Sequence, residues 1–405
     1  MEFHVLYLSY DGLTDALGQS QILAYQRKIA SETTRVTIIS FEKKEAYAKL
    51  GEKTASICKQ ADINWQPLFY TKQPPVLSTA YDLYRAWQKI KEIHQFAPVD
   101  IVHCRGYISA ILGEKMKHAF GTKFIFDMRG WWPDEKLESG FWSGKIYQPI
   151  FKYFKRKERD FFVHSDVTVS LTEAGKKEIV QLGFKTADKI KIVPTCTDLS
   201  LFKQNTVEET HAIKKQLGFP TDSVVLVYSG ALGGNYPIEA IFLFVRSFLA
   251  ISENHFCLIL SKDTPEKGIE LPARTVIKSV TYSEVGAHLA ACDLGFIYYK
   301  NAFSNIGRCP TKLGEYWACG LPAISPAEVG DIELIFRQYA GSGKTVSSWT
   351  EVEISKCLKE IIAQPSNKKT LREAAIDFFS LEKGVDFYKQ LYRKLLTDPV
   401  FLSKN

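Results

Sequence analysis

The sequence predicts an α/β protein of two doubly wound, Rossmann-like domains facing a central cleft, with a C-terminal helix crossing back to the first domain. Three observations predict it. Short β-rich runs alternate with longer helical patterns. The alternation stops in a polar stretch over residues 195–221 and then restarts. The runs FHVLYLS at 3–9 and SVVLVYS at 223–229 are continuously apolar, as strands covered on both faces read.

In order, the first half reads as a strand at 3–9, a helix at 19–29 and a strand at 36–41. A helix at 76–94, a strand at 100–104, a helix at 109–118 and a strand at 123–127 follow. A strand at 167–170, a helix from Thr172 and a short strand at 190–193 close it. The second half reads as a strand at 223–229, a helix at 236–250 and strands at 256–261 and 274–280. A helix at 282–292, a strand at 293–299 and a helix at 312–319 come next, then a strand at 322–325 and a helix at 331–339. An amphipathic helix spans 371–396, its apolar side carrying Phe378, Phe379, Phe387, Leu391, Leu395 and Leu396. The domains are therefore expected at 1–200, 201–380 and, for the returning helix, 381–405. Ligands of such sheets bind outside the carboxyl ends of the strands, so two facing halves imply a cleft.

Composition narrows the class. Apolar residues make up 45% and charged residues 24% of 405, which excludes extended disorder and collagen-like repeats. The net charge of +7 is too dilute for a nucleic-acid binder and leaves phosphates and anionic membranes open. None of the eight Cys lies two to four residues from another, so zinc-ribbon and thioredoxin spacings are absent and the thiols read as reduced and buried. The N-terminus lacks a basic n-region and a cleavage site, and no apolar run reaches 18 residues. A cytoplasmic location is expected, with the inner face of the membrane left open.

Three segments carry chemistry. Residues 10–20, YDGLTDALGQS, follow the first strand and precede a helix; Gly12 and Gly18 let backbone approach a ligand, and the helix start offers N–H donors to an anion. The alternative is a plain strand-to-helix turn. Residues 126–135, FDMRGWWPDE, gather carboxylates, a guanidinium and two indoles after a strand end. Trp131 and Trp132 offer flat faces to sugar rings, and Asp127 with Arg129 can hold hydroxyls; a surface turn with inward indoles is the alternative. His103 and Arg105 end the preceding strand beside it, and His103 fits a core residue equally well.

The third segment is the most specific: 308–324, RCPTKLGEYWACGLPAI, then GDIE at 330–333. Pro310 opens a helix and Gly320 closes it. Lys312 and Glu315 fall three apart on one face near its start, which suits a cation on a diphosphate and a carboxylate on a ribose diol. The alternative is an exposed Lys–Glu pair worth a few tenths of a kcal/mol.

Residues 310–333 resemble the donor-site signature of GT-B glycosyltransferases of the retaining family 4. Residues 11–23 resemble that family's first glycine loop, 193–202 its interdomain strand and turn, 229–240 the opening of its nucleotide half, and 282–293 its base-proximal segment. The resemblance implies a nucleotide-diphosphate sugar as substrate, no separate cofactor, no metal, and a glycan or lipid-linked acceptor. It implies a hexosyltransferase acting in surface polysaccharide or glycoconjugate synthesis. Donor contacts are implied at Gly12, Gly18, Gly230, Gly233, Asn235, Lys262, Tyr282, Gly307, Arg308, Thr311, Lys312, Leu313 and Glu315. Catalytic roles fall to Asp127, Arg129, Lys312 and Glu315, and acceptor contacts to Asp15, His103, Arg105, Trp131, Trp132 and Asp134.

The chain departs from the family pattern in three places. Glu315 matches the second Glu of the E-x7-E motif, but Gly307 stands where the first would be. Arg129 occupies the usual place of a His before Gly, and the Arg and Lys common after the second half's first strand are replaced around Gly233. A GT-B epimerase and a binding subunit without catalysis are therefore the alternatives. Finally, residues 146–162 combine an apolar stripe with Lys152, Lys155, Arg156, Lys157 and Arg159. That pattern suits an anionic leaflet or a core-facing helix with a solvated basic face, and Glu158 inside the stripe favours the second.

Overall fold

The computed structural model describes residues 2–234, 236–265, 268–364 and 366–398, which divide into two compact units. The first comprises Met1–Val193 with Leu381–Asn405, the second Pro194–Ser380. The division falls at residue 193, not 200. The reason is local: Thr195 donates its hydroxyl to the Cys309 carbonyl at 2.8 Å, and Thr197 N–H donates to the Phe379 carbonyl at 2.7 Å, tying the segment into the second unit.

The first unit holds a seven-stranded parallel sheet. Its strands are β1 (Phe3–Ser9), β2 (Thr34–Glu42), β3 (Ile63–Phe69), β4 (Ile101–Arg105), β5 (Lys123–Asp127), β6 (Val167–Ser170) and β7 (Ile190–Ile192). They lie in the order β3-β2-β1-β4-β5-β6-β7. The apolar run of β1 is buried at every position, as two-faced coverage requires. The second unit holds six parallel strands: β8 (Val224–Ser229), β9 (His255–Leu260), β10 (Thr275–Lys278), β11 (Leu294–Phe296), β12 (Ala323–Pro326) and β13 (Gly343–Val346). Their order is β10-β9-β8-β11-β12-β13. Its core packs Phe242, Phe244 and Phe248 of the helix Ile238–Leu249 against Leu226, Phe296 and Ile324.

Several elements were not foreseen, the short helix Trp132–Glu138 among them. The helix Lys44–Gln60 and β3 lie where no element was expected, as do β13 and the helix Glu351–Ile362. Both strands are sheet edges; β3 is mostly half-buried and carries Pro67, whose missing N–H an edge tolerates. The terminal helix is two helices, Lys368–Phe379 and Leu381–Thr397. Ser380 breaks them, extended at φ −60° and ψ 127°, and bridges to Thr197.

Candidate functional site

In the first unit, the register sets Ser9 beside Arg105 and Arg105 beside Asp127, so three strand ends present their side chains at one level. The Asp127 carboxylate, 2% exposed, lies 3.5 Å from His103 Nε2 and 3.8 Å from Arg129 Nη1. Arg105 Nε lies 3.6 Å from Asp11 Oδ2. Arg129 adopts φ +57°, strained for a side-chain-bearing residue, and is followed by Gly130 at +115°. The helix Leu381–Thr397 covers the group: Tyr392 hydroxyl meets His103 Nδ1 at 2.7 Å, and the Tyr388 ring packs on the imidazole.

Charge is held firmly here. Burial pushes the Asp127 carboxyl up, but Arg129, the His103 hydrogen bond and Arg105 outweigh it and hold it below the usual range. Burial would lower Arg129; the Asp127 carboxylate reverses this and raises it. Burial lowers His103, with Asp127 opposing, so the imidazole is neutral near pH 7. Asp127 is thus paired with Arg129, whose side chain is 14% exposed. His103 is a correction: an acceptor contact was expected, yet it is 1% exposed and engaged by Tyr392.

The sign of the pH dependence follows. His103 titrates lower folded than its ordinary 6.5, so its contribution to stability is complete above 6.5 and is lost as pH falls through that value. His4, buried among Ala97, Pro98 and Thr37, shifts the same way, chiefly by burial. Urea midpoints are expected to fall between about pH 7.5 and 5.5, with a shallower fall in His103→Asn.

The glycine loop corrects a second expectation. Its N–H groups do not await an outside anion, because Glu42 fills them. The Glu42 carboxylate is fully buried and accepts from Leu13 N–H at 2.7 Å, Thr14 N–H at 3.0 Å, the Thr14 hydroxyl and the Ser40 hydroxyl. A Cβ on Gly12 would lie 2.7 Å from that carboxylate, and one on Gly18 would lie 1.9 Å from the Gly12 carbonyl oxygen. Both glycines permit close packing, Gly12 against the Glu42 carboxylate and Gly18 against the Gly12 backbone. Asp15 follows, held by Lys43 at 2.9 Å.

The two tryptophans part company. Trp131 is 1% exposed, its ring packed on Phe162 with Lys155 over it, so it cannot stack on an acceptor. Trp132 is half-buried among Tyr107, Trp142 and Phe154. Asp134 is bound by Lys155 at 2.9 Å, and Lys155 also reaches Glu158, which takes the Tyr107 hydroxyl at 2.6 Å. Asp134 thus anchors the helix Gln148–His164 and is not a free acceptor ligand. That helix turns Phe154, Glu158, Phe161 and Phe162 inward, as the buried-partner reading of Glu158 expects.

In the second unit, Gly230 and Gly233 follow β8, Lys262 follows β9, and Tyr282 begins the helix after β10. Gly307, Arg308, Thr311, Lys312 and Glu315 follow β11, so all of these occupy the carboxyl ends of one sheet. Asn235 lies outside the described residues. Gly233, at φ +89°, pairs with Tyr236 in an isolated bridge. Tyr236 packs on Tyr299, over which the Arg308 guanidinium sits at 4.9 Å. The ring of Tyr282 is spent on Phe202. Lys262 is exposed and Gly307 buried.

Lys312 and Glu315 share the first turns of the helix Thr311–Ala318 and meet at 2.9 Å. Glu315 is 2% exposed while the Lys312 side chain is about one-third open. This is not an exposed pair. A buried carboxylate is neutralised by a cation that still faces outward. Among the described residues no side chain caps this helix N-terminus, so its dipole favours an anion there, while the Leu313 N–H donates to the Pro310 carbonyl at 3.1 Å. Arg372 satisfies the other end through the Ala318 carbonyl at 2.9 Å and also holds those of Leu199 and Phe202. Leu313 is a correction: its side chain is fully buried in the core. A groove of about 730 Å³ opens near His4, Arg35, Trp65 and Phe96, at the opposite end of β1 from Asp127, and holds none of the expected residues.

Sequence reasoning missed Glu42, Tyr388 and Tyr392. The signals were a lone acid ending the apolar run VTIISFE and two tyrosines four apart on the terminal helix.

Residues 22–201 match the model of Glycosyltransferase Family 4. No curated protein matches the chain by sequence. Among solved structures, sucrose-phosphate synthase from Thermosynechococcus elongatus aligns with TM-score 0.68 at 14% identity, covering 98% of this chain and 99% of that one. HepE from Anabaena, solved with UDP and glucose, aligns with TM-score 0.67 at 13% identity over 97% and 99%. WaaG, a glycosyltransferase involved in lipopolysaccharide biosynthesis, aligns with TM-score 0.63 at 14% identity over 97% and 100%.

Proposed function

We propose that this chain, which matches Glycosyltransferase Family 4 over residues 22–201 and shares the fold of the solved structures above, is a glycosyltransferase that moves a hexosyl group from a nucleoside-diphosphate donor to a glycan or lipid-linked acceptor with retention and without a metal. The observation that carries the reading is the uncapped start of the helix Thr311–Ala318, with Arg308 before it and Lys312 on its first turn. Those groups suit the two phosphates: the ammonium has three donors and keeps Glu315 while donating to phosphate oxygen. As the C1–O bond breaks, its electron pair goes to the leaving diphosphate, and fixed positive charge at that oxygen lowers the barrier. Asp127, through Arg129, and Arg105 are proposed to orient the acceptor. The solved complexes of HepE with UDP and with UDP-glucose support a nucleotide-sugar donor here.

The test is product analysis. Release of nucleoside diphosphate coupled to a new glycosidic bond is expected. An isomerised donor, or unchanged donor with every acceptor tried, contradicts the proposal.

A lipid-linked acceptor is reached by peripheral contact, proposed for the surface around Phe141 and Ile146, 64% and 79% exposed, with Lys145, Lys152 and Arg156 exposed beside them. No helix among the described residues is long and apolar enough to cross a membrane. Co-sedimentation with phosphatidylglycerol vesicles is expected to exceed that with phosphatidylcholine and to drop in Lys152→Glu/Arg156→Glu; equal sedimentation removes the contact.

A further inference from the structure

Away from the strand ends described above, Glu114, His118 and His164 converge on the first unit's surface. Glu114 and His118 are four apart on the helix Gly106–Phe120 and so share one face, and His164 is the last residue of the helix Gln148–His164. One ligand atom from each lies within 4.8 Å of the others. His164 Nδ1 is 2.7 Å from Glu114 Oε1, and the two imidazoles meet edge-on with centroids 5.2 Å apart. Lys157 holds the other Glu114 oxygen at 2.7 Å, fixing the carboxylate's orientation and leaving Oε1 directed at the imidazoles.

We propose that Glu114, His118 and His164 bind one divalent transition ion of the Zn²⁺ type, clamping these two helices together. Two imidazole nitrogens and one carboxylate oxygen are a borderline donor set that favours Zn²⁺, Cu²⁺, Ni²⁺ or Co²⁺ over Mg²⁺ and Ca²⁺. Glu114 is buried while His118 is exposed and His164 partly so, which combines an anchored ligand with an entry path. On binding, the hydrogen bond now joining His164 and Glu114 is replaced by one bond from each residue to the ion. The Lys157 ammonium opposes the incoming charge and keeps affinity moderate. The ion plays no part in sugar transfer: both helices reach it at their carboxyl-terminal ends, where the first runs back toward the start of β5, remote from Asp127. The eight cysteines are all buried and offer no competing exposed thiolate.

The test uses the full chain, stripped with chelator and titrated with Co²⁺ and separately Zn²⁺. The expected result is one ion bound per chain, a d–d absorption band of low-coordinate Co²⁺, and a rise in melting temperature with Zn²⁺. His118→Ala removes an exposed ligand without touching the Glu114–His164 bond, and affinity should fall by at least about tenfold. Glu114→Gln keeps the shape of the site and should weaken it as well. Absence of a Co²⁺ band, or binding undiminished in His118→Ala/His164→Ala, overturns the proposal and leaves a Glu114–His164 bridge only.

Discussion

Replacing Glu42 by Ala is expected to lower the melting temperature of the first unit by roughly 10 °C, the largest effect of any single substitution considered for stability. Four donors converge on that carboxylate, two of them backbone N–H groups of buried residues, Leu13 and Thr14. Each buried donor left without an acceptor costs ~1–3 kcal/mol, so a total of at least ~3 kcal/mol is a conservative sum. At ~2–4 °C per kcal/mol for a unit of this size, that is about 6–12 °C. Glu42→Gln retains one acceptor but turns an amide N–H₂ toward two donors, and should fall between Ala and the native residue. Differential scanning calorimetry of the three proteins checks the order. A loop that tolerated Ala would show that Gly12 packs around something other than an internal anion.

Lys312→Ala carries the largest functional expectation and acts twice. It strips the partner from a 2%-exposed carboxylate, Glu315, which should cost ~1–3 kcal/mol of stability in the second unit. It also removes a cation aimed outward at the helix start. One charge ~4 Å from a phosphate is worth up to ~4 kcal/mol at an effective dielectric of 20, so donor affinity or turnover should fall by about tenfold to several-hundredfold. The two effects separate in Lys312→Met/Glu315→Gln, which leaves no unpaired buried charge. That double variant should recover most of the stability and none of the donor affinity, read by urea titration and calorimetric binding together. Recovery of both would reduce the pair to a structural bridge.

Much of the architecture was legible because its signals are one-dimensional. Strands such as FHVLYLS and VVLVYS are covered on both faces and therefore announce themselves as unbroken apolar runs. The edge strands β3 and β13 are half-wet, carry Gln66, Pro67 and Lys344, and give no such signature. The polar site was legible as a set of residues but not as a set of pairings. Nothing in YDGLTDALGQS tells that its amides face Glu42, 28 residues beyond Thr14, because an internal carboxylate and an external phosphate ask the same geometry of the backbone. Trp131 and Trp132 are adjacent and chemically identical, yet the first enters the core and the second stays half-open. The backbone just before them turns through Arg129 at φ +57° and Gly130 at φ +115°, a property of the packed chain. Tyr388 and Tyr392 reach Asp127 and His103 only through the return of the final helix, some 260 or more residues away in sequence.

The most direct measurement is a thermal-shift panel of nucleoside diphosphates and nucleotide sugars on the native chain and on Lys312→Ala. A ligand at a hundred times its dissociation constant adds ~2.7 kcal/mol, or roughly 5–10 °C for a unit of this size. At least one nucleoside diphosphate or its sugar should raise the second unit's transition by that amount, and the rise should largely vanish without the ammonium. No shift with any activated sugar, or an equal shift in both proteins, would contradict the assignment of the helix start at Thr311 as the diphosphate's seat.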